Sequence, residues 1–383
     1  MPTRRISYMA NLERPLSLAV VLILVIGSLA RLHSQQIQGT VTIGLGQPVA
    51  DAVVRIEAPG GKREQARTDA NGRFATPTLN QDRVLVSVIQ NDELVYRAIR
   101  QVGGGPALDI RLAAAYDAPR GFDPIALVAL PGGSVYAADN GANGRLIRFD
   151  SIGSGVVIGT NHKFNGITGK LVGGVPAVYG CIDNSSIVSF DRSGSALKTW
   201  PAPATWAHRP NCMSVTADPD TGAVYLAHAD NPEASMASIY LLDENKDSMS
   251  RFAVVQVRGV GPMAVFGAEK TLFLSDVRAG AILSVDLARK RATTTLVQGL
   301  GPVNALAADE LRRRLYVAEG NRVRQIDLAA RPARLAPFTT RNIGSASALG
   351  VDAAGLVYVG DRGAHALLVF SPDGDLVATA TAK

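Results

Sequence analysis

The sequence predicts an all-β protein, a small N-terminal β-sandwich followed by a six-bladed β-propeller. Three observations carry that expectation. Charged residues make up only 19% of the 383 while glycine occurs 38 times, a composition of short strands and tight turns rather than of helices or disorder. Apolar residues alternate with a period of two along much of the chain, and no long amphipathic helix stands out. One strand pattern recurs six times in the C-terminal part, the mark of a repeat architecture. The length suggests two domains.

Residues 1–34 read as an export signal. Arg4, Arg5 and Arg14 precede an apolar run from Leu16 to Leu24 that continues through Ile26 to Ala30. The run is short for a membrane span. Cleavage after Ala30 or Ser34 fits the small residues there, and an uncleaved anchor is the alternative. Either reading predicts an exported protein: periplasmic, cell-surface or secreted. The formal charge is +6, but residues 1–34 hold four Arg and one Glu, so they supply +3 of it and leave about +3 for the rest. No run of Lys and Arg interleaves with aromatics, so a nucleic-acid partner is not expected. The two cysteines, Cys181 and Cys212, exclude a disulfide-rich scaffold and a cysteine-based metal site.

Residues 35–113 form the first module. The segments IQGTVTI, AVVRIEA, GRFAT, RVLVSVI and LVYRAIR alternate like strands, and seven short strands over about 75 residues suggest a sandwich. Gln47-Pro48, Pro59-Gly60-Gly61 and Asp69-Ala70-Asn71-Gly72 supply turn chemistry, the last a tight hairpin needing a positive φ. Gly103-Gly104-Gly105-Pro106 precedes the last strand, ALDIRLA, and Asp117 to Gly121 reads as the linker. The motifs I-x-G-x-V at Ile37 to Val41, P-V-x-D-A-x-V-x-I from Pro48 to Ile56, T-D-x-x-G-x-F from Thr68 to Phe74 and V-L-V-S-V from Val84 to Val88 resemble the carboxypeptidase regulatory-like domain. That resemblance implies a transthyretin-like or immunoglobulin-like sandwich, also called a carbohydrate-binding-like fold. It implies an accessory module without catalysis. Asp51 and Asp69 are expected to satisfy turn backbone groups rather than a ligand.

Residues 117–383 hold the repeat. A small-residue strand, a turn, a strand ending near an acid, a Gly/Asn loop and a strand like I-x-x-F-D recur. The clear copies are VYAADNGANGRLIRFD, LFLSDVRAGAILSVD, LYVAEGNRVRQID and LVYVGDRGAHALLVFS; AVYGCIDNSSIVSFD and AVYLAHADNPEASMASIYLLD are degenerate. Third strands end at Asp150, Asp191, Asp243, Asp286, Asp327 and Ser371, at intervals of 41, 52, 43, 41 and 44. Such units cannot bury both sheet faces alone, so they pack radially and the ring closes on itself. DLVATATA supplies a fourth strand to the last blade, which therefore needs no N-terminal strand to complete it. The repeats resemble NHL-type propellers, most clearly in SALGVDAAGLVYVGDRGAHALLVFSPDG, and less specifically gluconolactonase-like propellers. That resemblance implies the fold, while the function has to come from a site.

The ends of second strands and the starts of inner strands share one face of such a ring. That face is expected to carry Asp139, Asn140, Asp183, Asn184, His228, Asp230, Asp276, Glu319, Asn321 and Asp361, a polar, acidic mouth suited to a cation or a polyhydroxyl ligand. Loop capping by the same acids is the plainer alternative. Trp200 and Trp206 flank the loop Pro201-Ala202-Pro203 that leads to His208 beside it, and there offer an aromatic platform for a sugar or a partner, or else pack a long loop against its blade. Cys181 and Cys212 are placed on one face of adjacent blades, where a disulfide and two buried thiols are both open. The peptidylglycine amidating lyases, which this fold resembles, hold zinc with histidines; here His162, His208, His228 and His365 occupy no repeated position. A gluconolactonase-like site would draw on Asn304, Asp276 and Asp361, but Phe122-Asp123-Pro124 stands where its Glu belongs.

The expectation is an exported, non-enzymatic binding or scaffold protein. Its propeller face recognises a protein or glycan, and the sandwich is an accessory module. The alternative is a metal-dependent hydrolase or lyase, lactonase-like or peptidylglycine-lyase-like, with Ca2+ or Zn2+ in the channel. No cofactor is expected, no nucleic acid, and membrane contact only through an uncleaved N-terminal segment.

Overall fold

The computed structural model describes residues 35–382 apart from 45, 60, 80–82, 92, 103–106, 132, 142, 151–153, 184–185, 204–205, 207–211 and 230–235. The signal or anchor at 1–34 lies outside the described residues, as do Gly60, the Gly103 to Pro106 turn, Asn184, His208 and Asp230.

The first unit is a sandwich of two four-stranded sheets. One sheet joins β1 (Gln35–Ile43) to β2 (Gln47–Pro48), β5 (Arg73–Leu79) and β8 (Leu108–Leu112). The other runs in the order β4-β3-β6-β7, from β4 (Arg63–Arg67) through β3 (Val53–Glu57) and β6 (Arg83–Gln90) to β7 (Glu93–Gln101). Alternate residues Val54 and Ile56 of β3, and Val84, Val86 and Val88 of β6, are buried, as the period-two pattern requires. Eight strands stand where seven runs were expected. The two-residue β2 is too short to show a period, and β4 (REQAR) is an edge strand with no apolar alternation. Asp69 Oδ1 accepts the N–H groups of Asn71 and Arg73, both at 2.8 Å, and Gly72 takes φ +71°, closing the hairpin as the turn residues predict.

The second unit is a ring of six blades, each built on four antiparallel strands numbered here from the innermost outward, the last blade carrying one strand more. Blade 1 is Pro124–Ala129, Ser134–Asp139, Arg145–Asp150 and Val156–Thr160 (β10 to β13). Blade 2 is Phe164–Val172, Val175–Ile182, Ser186–Phe190 and Ala196–Pro201 (β14 to β17). Blade 3 is Cys212–Ala217, Val224–His228, Met236–Asp243 and Ser248–Gln256 (β18 to β21). Blade 4 is Val260–Phe266, Thr271–Asp276, Ala281–Asp286 and Arg291–Val297 (β22 to β25), with a 3-10 turn at Gly267–Glu269. Blade 5 is Val303–Asp309, Arg314–Glu319, Arg322–Asp327 and Arg334–Pro337 (β26 to β29). Blade 6 is Ala346–Val351, Val357–Asp361, Ala366–Phe370 and Leu376–Ala382 (β30 to β33). Each inner strand contacts the next, and β30 contacts β10 to close the ring. Third strands end at or one residue before the six positions read from the repeat.

Six buried apolar clusters lie one at each junction between blades. Tyr136, Leu146 and Phe164 join blades 1 and 2, for example, and Ile147, Phe149 and Tyr358 join blades 6 and 1. Each such side chain contributes about 1.5–3 kcal/mol by leaving water, so the junctions, rather than single blades, hold the ring together.

The last blade departs from the expectation. Leu376–Ala382 does supply its fourth strand, but β9 (Ala114–Ala118) pairs in parallel with that strand as a fifth, with Tyr116 opposite Ala380. Asp117 therefore sits in a strand rather than a linker. The outer edge of β33 would otherwise present unpaired backbone groups, and Ala114, Tyr116 and Ala118 pack on the cluster behind it.

Candidate binding site at the channel mouth

The six inner strands share one local irregularity. Their first residues pair with Asp139, Ile182, His228, Asp276, Glu319 and Asp361, the last residues of the second strands, and then a register shift follows in every blade. The segments PIAL, FNGI, CMSV, VGPM, VNAL and ASAL are thus equivalent, beginning at Pro124, Phe164, Cys212, Val260, Val303 and Ala346. A β-bulge re-aims the extra residue. Here that residue is Ile125, Asn165, Met213, Gly261, Asn304 or Ser347, and all six line one cavity of about 460 Å³ at the mouth of the channel.

The fourth residue of each segment builds the floor. Leu127, Ile167, Val215, Met263, Leu306 and Leu349, one per blade, line both the mouth cavity and a second one of about 370 Å³ at the opposite end. They form an apolar waist. Above it, Asn165 Nδ2 donates to Cys212 O at 2.9 Å, Asn304 Nδ2 to Ala346 O at 2.9 Å and Ser347 Oγ to Pro124 O at 2.5 Å. Each of these bonds ties one blade to the next. They leave the exposed Met213, half-buried Ile125 and the remaining polar edges of the wall facing the cavity.

The strand-ending acids have a different job. Asp139, Asp276, Glu319 and Asp361 are all buried, none more than 5% exposed, and none lines the mouth cavity. Asp139 Oδ1 accepts Asp123 N–H at 2.7 Å and Gly141 N–H at 2.8 Å. Asp276 accepts the N–H groups of Arg258, Gly259 and Ala279, and Asp361 those of Gly344, Ser345 and Ala364. Glu319 Oε1 accepts Gly301 N–H at 2.6 Å, and Arg322 and Arg324 bond to its two oxygens. Burial alone would raise the Glu319 carboxyl, but these three donors outweigh it and hold it below the usual glutamate range. The acids thus cap the loops entering each blade. Asn140 also ties blades together, its amide bonding both backbone groups of Phe164. Asp183, just past its strand with φ +48°, and Asn321 are exposed.

Blade 3 puts His228 at the position of the acids. It is buried and lies flat on Trp206, with ring centroids 4.3 Å apart and planes 5° apart, and Tyr240 meets both rings edge-on. Trp206 is 6% exposed, so it packs its loop against the blade and offers no open face to a ligand. The same cluster contains the disulfide between Cys181 and Cys212, which links blades 2 and 3 with a Cα separation of 5.9 Å. His162 packs against Phe164 and Phe190, and His365 Nδ1 bonds Phe122 O at 2.8 Å. The three described histidines do not converge. Among the described residues no three His, Cys, Asp or Glu side chains are grouped to hold a metal. The donors that a lactonase-like or lyase-like centre would need are therefore not brought together by these residues.

Asn165, Met213, Ser347 and Ile125 were not singled out in the sequence. Their signal was present as a fixed offset, two residues before an apolar residue in six equivalent four-residue segments, but only the bulge shows that the offset points into the channel.

No family profile and no curated protein matches the chain. Among solved structures it is similar to a protein of unknown function from Bacteroides thetaiotaomicron, with TM-score 0.51 and 9% identity over 81% of this chain and 88% of that one. It is also similar to the hydrazine synthase of Kuenenia stuttgartiensis, with TM-score 0.49 and 14% identity over 67% of this chain and 78% of that one. At such identities the likeness to the first is one of fold alone, and the second carries no argument.

Proposed function

We propose that the chain is an exported binding protein whose propeller holds a ligand in the cup at the channel mouth, with the sandwich as an accessory module of the carboxypeptidase regulatory-like kind. The observation that carries this reading is the bulge repeated in all six blades. It brings five side chains and the backbone of Gly261 around one cavity of about 460 Å³, with an apolar waist between it and the cavity at the opposite end. That volume lies within the range of about 300–1,000 Å³ typical of ligand sites. The acids and aromatics that could do chemistry are committed to capping and packing, which favours binding over catalysis.

The test is a glycan and peptide array probed with the full chain and with Met213→Trp, which narrows the cup without touching a capping acid. Met213→Trp is expected to lose the captured ligands while unfolding at the same temperature. Ligands retained undiminished by the variant would place recognition elsewhere and defeat the reading.

A further inference from the structure

The mouth face differs from the acidic one that the repeat suggests. Its strand-ending carboxylates are buried under backbone N–H groups, and most of the exposed charges among its described residues are of the other sign. Arg120 and Lys163 precede the inner strands of blades 1 and 2, and Arg258 precedes that of blade 4. Arg278 follows the second strand of blade 4, Arg341 enters blade 6 and Arg362 leaves its second strand. All six are exposed, and Arg322 in blade 5 is exposed as well. Against them, among the described residues of this face, stand two carboxylates not engaged in capping, Asp123, which is bonded to Arg362, and the exposed Asp183. Arg120, Lys163, Arg258, Arg278 and Arg341 form no ion pair among the described residues. Arg362 itself lines the mouth cavity, and Arg258 and Arg278 adjoin the lining residues Val260 and Val277. The opposite face mixes both signs: Asp243, Glu244 and Asp247 stand beside Lys246, and Asp286 beside Arg289.

Building on the cup reading, we propose that the rim selects an acidic glycan, a polymer bearing uronate or sulfate groups that lies across the mouth. Two features choose this class. The cations are spread over the sectors of five blades, so a small monoanion would meet one or two of them while an extended polyanion would meet several. A neutral sugar or a protein hot spot would call for exposed aromatic rings, and the two tryptophans of the chain, Trp200 and Trp206, are both buried. A rim of exposed guanidinium groups raises the local concentration of a polyanion and speeds its arrival, with a strong dependence on salt.

Binding of dextran sulfate, polygalacturonate, neutral dextran and a single-stranded DNA oligonucleotide to the full chain tests the proposal at low and high sodium chloride. Dextran sulfate and polygalacturonate are expected to bind, increasingly weakly as salt rises, and neutral dextran not to bind. The variant Arg258→Ser/Arg278→Ser/Arg341→Ser should lose about tenfold or more in affinity and show a shallower salt dependence. The opposite-face control Arg192→Ser/Lys246→Ser/Arg289→Ser should keep its affinity. Equal losses in the two variants, equal binding of neutral dextran, no binding of either acidic glycan, or tighter binding of the oligonucleotide than of both would each overturn the acidic-glycan proposal. The cup reading fails separately, through Met213→Trp: an intact rim response with unchanged array binding in that variant sinks the cup and leaves the rim, and the reverse pattern sinks the rim and leaves the cup.

Discussion

Arg362 donates through Nε and Nη2 to both carboxylate oxygens of Asp123, at 2.6 and 2.9 Å, across 239 residues of sequence. The pair joins the last blade to the first at the mouth face. Beside it, Ser347 Oγ donates to Pro124 O, and His365 Nδ1 bonds Phe122 O. Ring closure in this propeller therefore has two parts, a polar latch at the mouth and the parallel strand β9 on the outer edge of the same blade.

The latch pair is partly solvated, with the Arg362 side chain 56% exposed. Its coupling energy is expected to be about 0.5–1 kcal/mol and to shrink with added salt. A double-mutant cycle of Asp123→Ala and Arg362→Ala, followed by denaturant unfolding, measures it. A coupling near zero at low salt would show that β9 and the apolar junction close the ring without the latch.

Glu319 sets a pH dependence. Its carboxyl is held below its unfolded value, so its contribution is fully present above that unfolded value and is lost as pH falls through the lower folded one. Glu319→Gln keeps the shape but weakens the bonds to Arg322, Arg324 and Gly301, and it should cost about 1–3 kcal/mol at neutral pH. The difference between wild type and variant should shrink in acid. Denaturant melts at several pH values check both the size and the direction.

The disulfide spans 31 residues of sequence and both of its cysteines are fully buried. By loop-closure entropy it should stabilise the fold by roughly 3–4 kcal/mol. Cys181→Ala/Cys212→Ala should unfold at correspondingly lower denaturant. In the folded wild type, thiol labelling after mild reductant should stay low until the protein is partly unfolded.

Two glycines separate a backbone need from a packing need. Gly280 and Gly320 follow second strands with φ near +60°, but a Cβ on Gly280 would lie 2.3 Å from Leu300 O, whereas nothing lies within 4 Å at Gly320. Asparagine tolerates the left-handed region, so Gly320→Asn should cost under about 1 kcal/mol. Gly280→Asn should cost clearly more, because the Leu300 carbonyl that it would strike belongs to the loop entering blade 5. Comparison of the two unfolding midpoints decides this.

Much of the fold was legible before any coordinates. The spacing of Asp150, Asp191, Asp243, Asp286, Asp327 and Ser371 implied six blades because a strand meander repeats its turns at the same step. Alternation in RVLVSVI placed β6 because a half-buried strand must alternate. The acids at Asp139, Asp276, Glu319 and Asp361 were visible as a repeat too, but a carboxylate that caps a loop and one that faces a ligand look alike in sequence. Which it is depends on whether the N–H groups of the preceding inter-blade loop reach it, and they do. The fifth strand was not legible, since Ala114–Ala118 carries no strong alternation and its partner β33 lies more than 250 residues away.

The sequence by itself determined the all-β class, the six repeats, the strand-ending acids and the positions of the two cysteines, because each rests on local periodicity, turn chemistry or composition. Only the tertiary structure decided that the acids point into loops, that Trp206 lies flat on His228, that Cys181 meets Cys212, and that the side chains of the bulges gather over an apolar waist beneath a basic rim. Those outcomes depend on the closure of the ring, which brings together residues from blades far apart in the chain, and no local pattern carries that information.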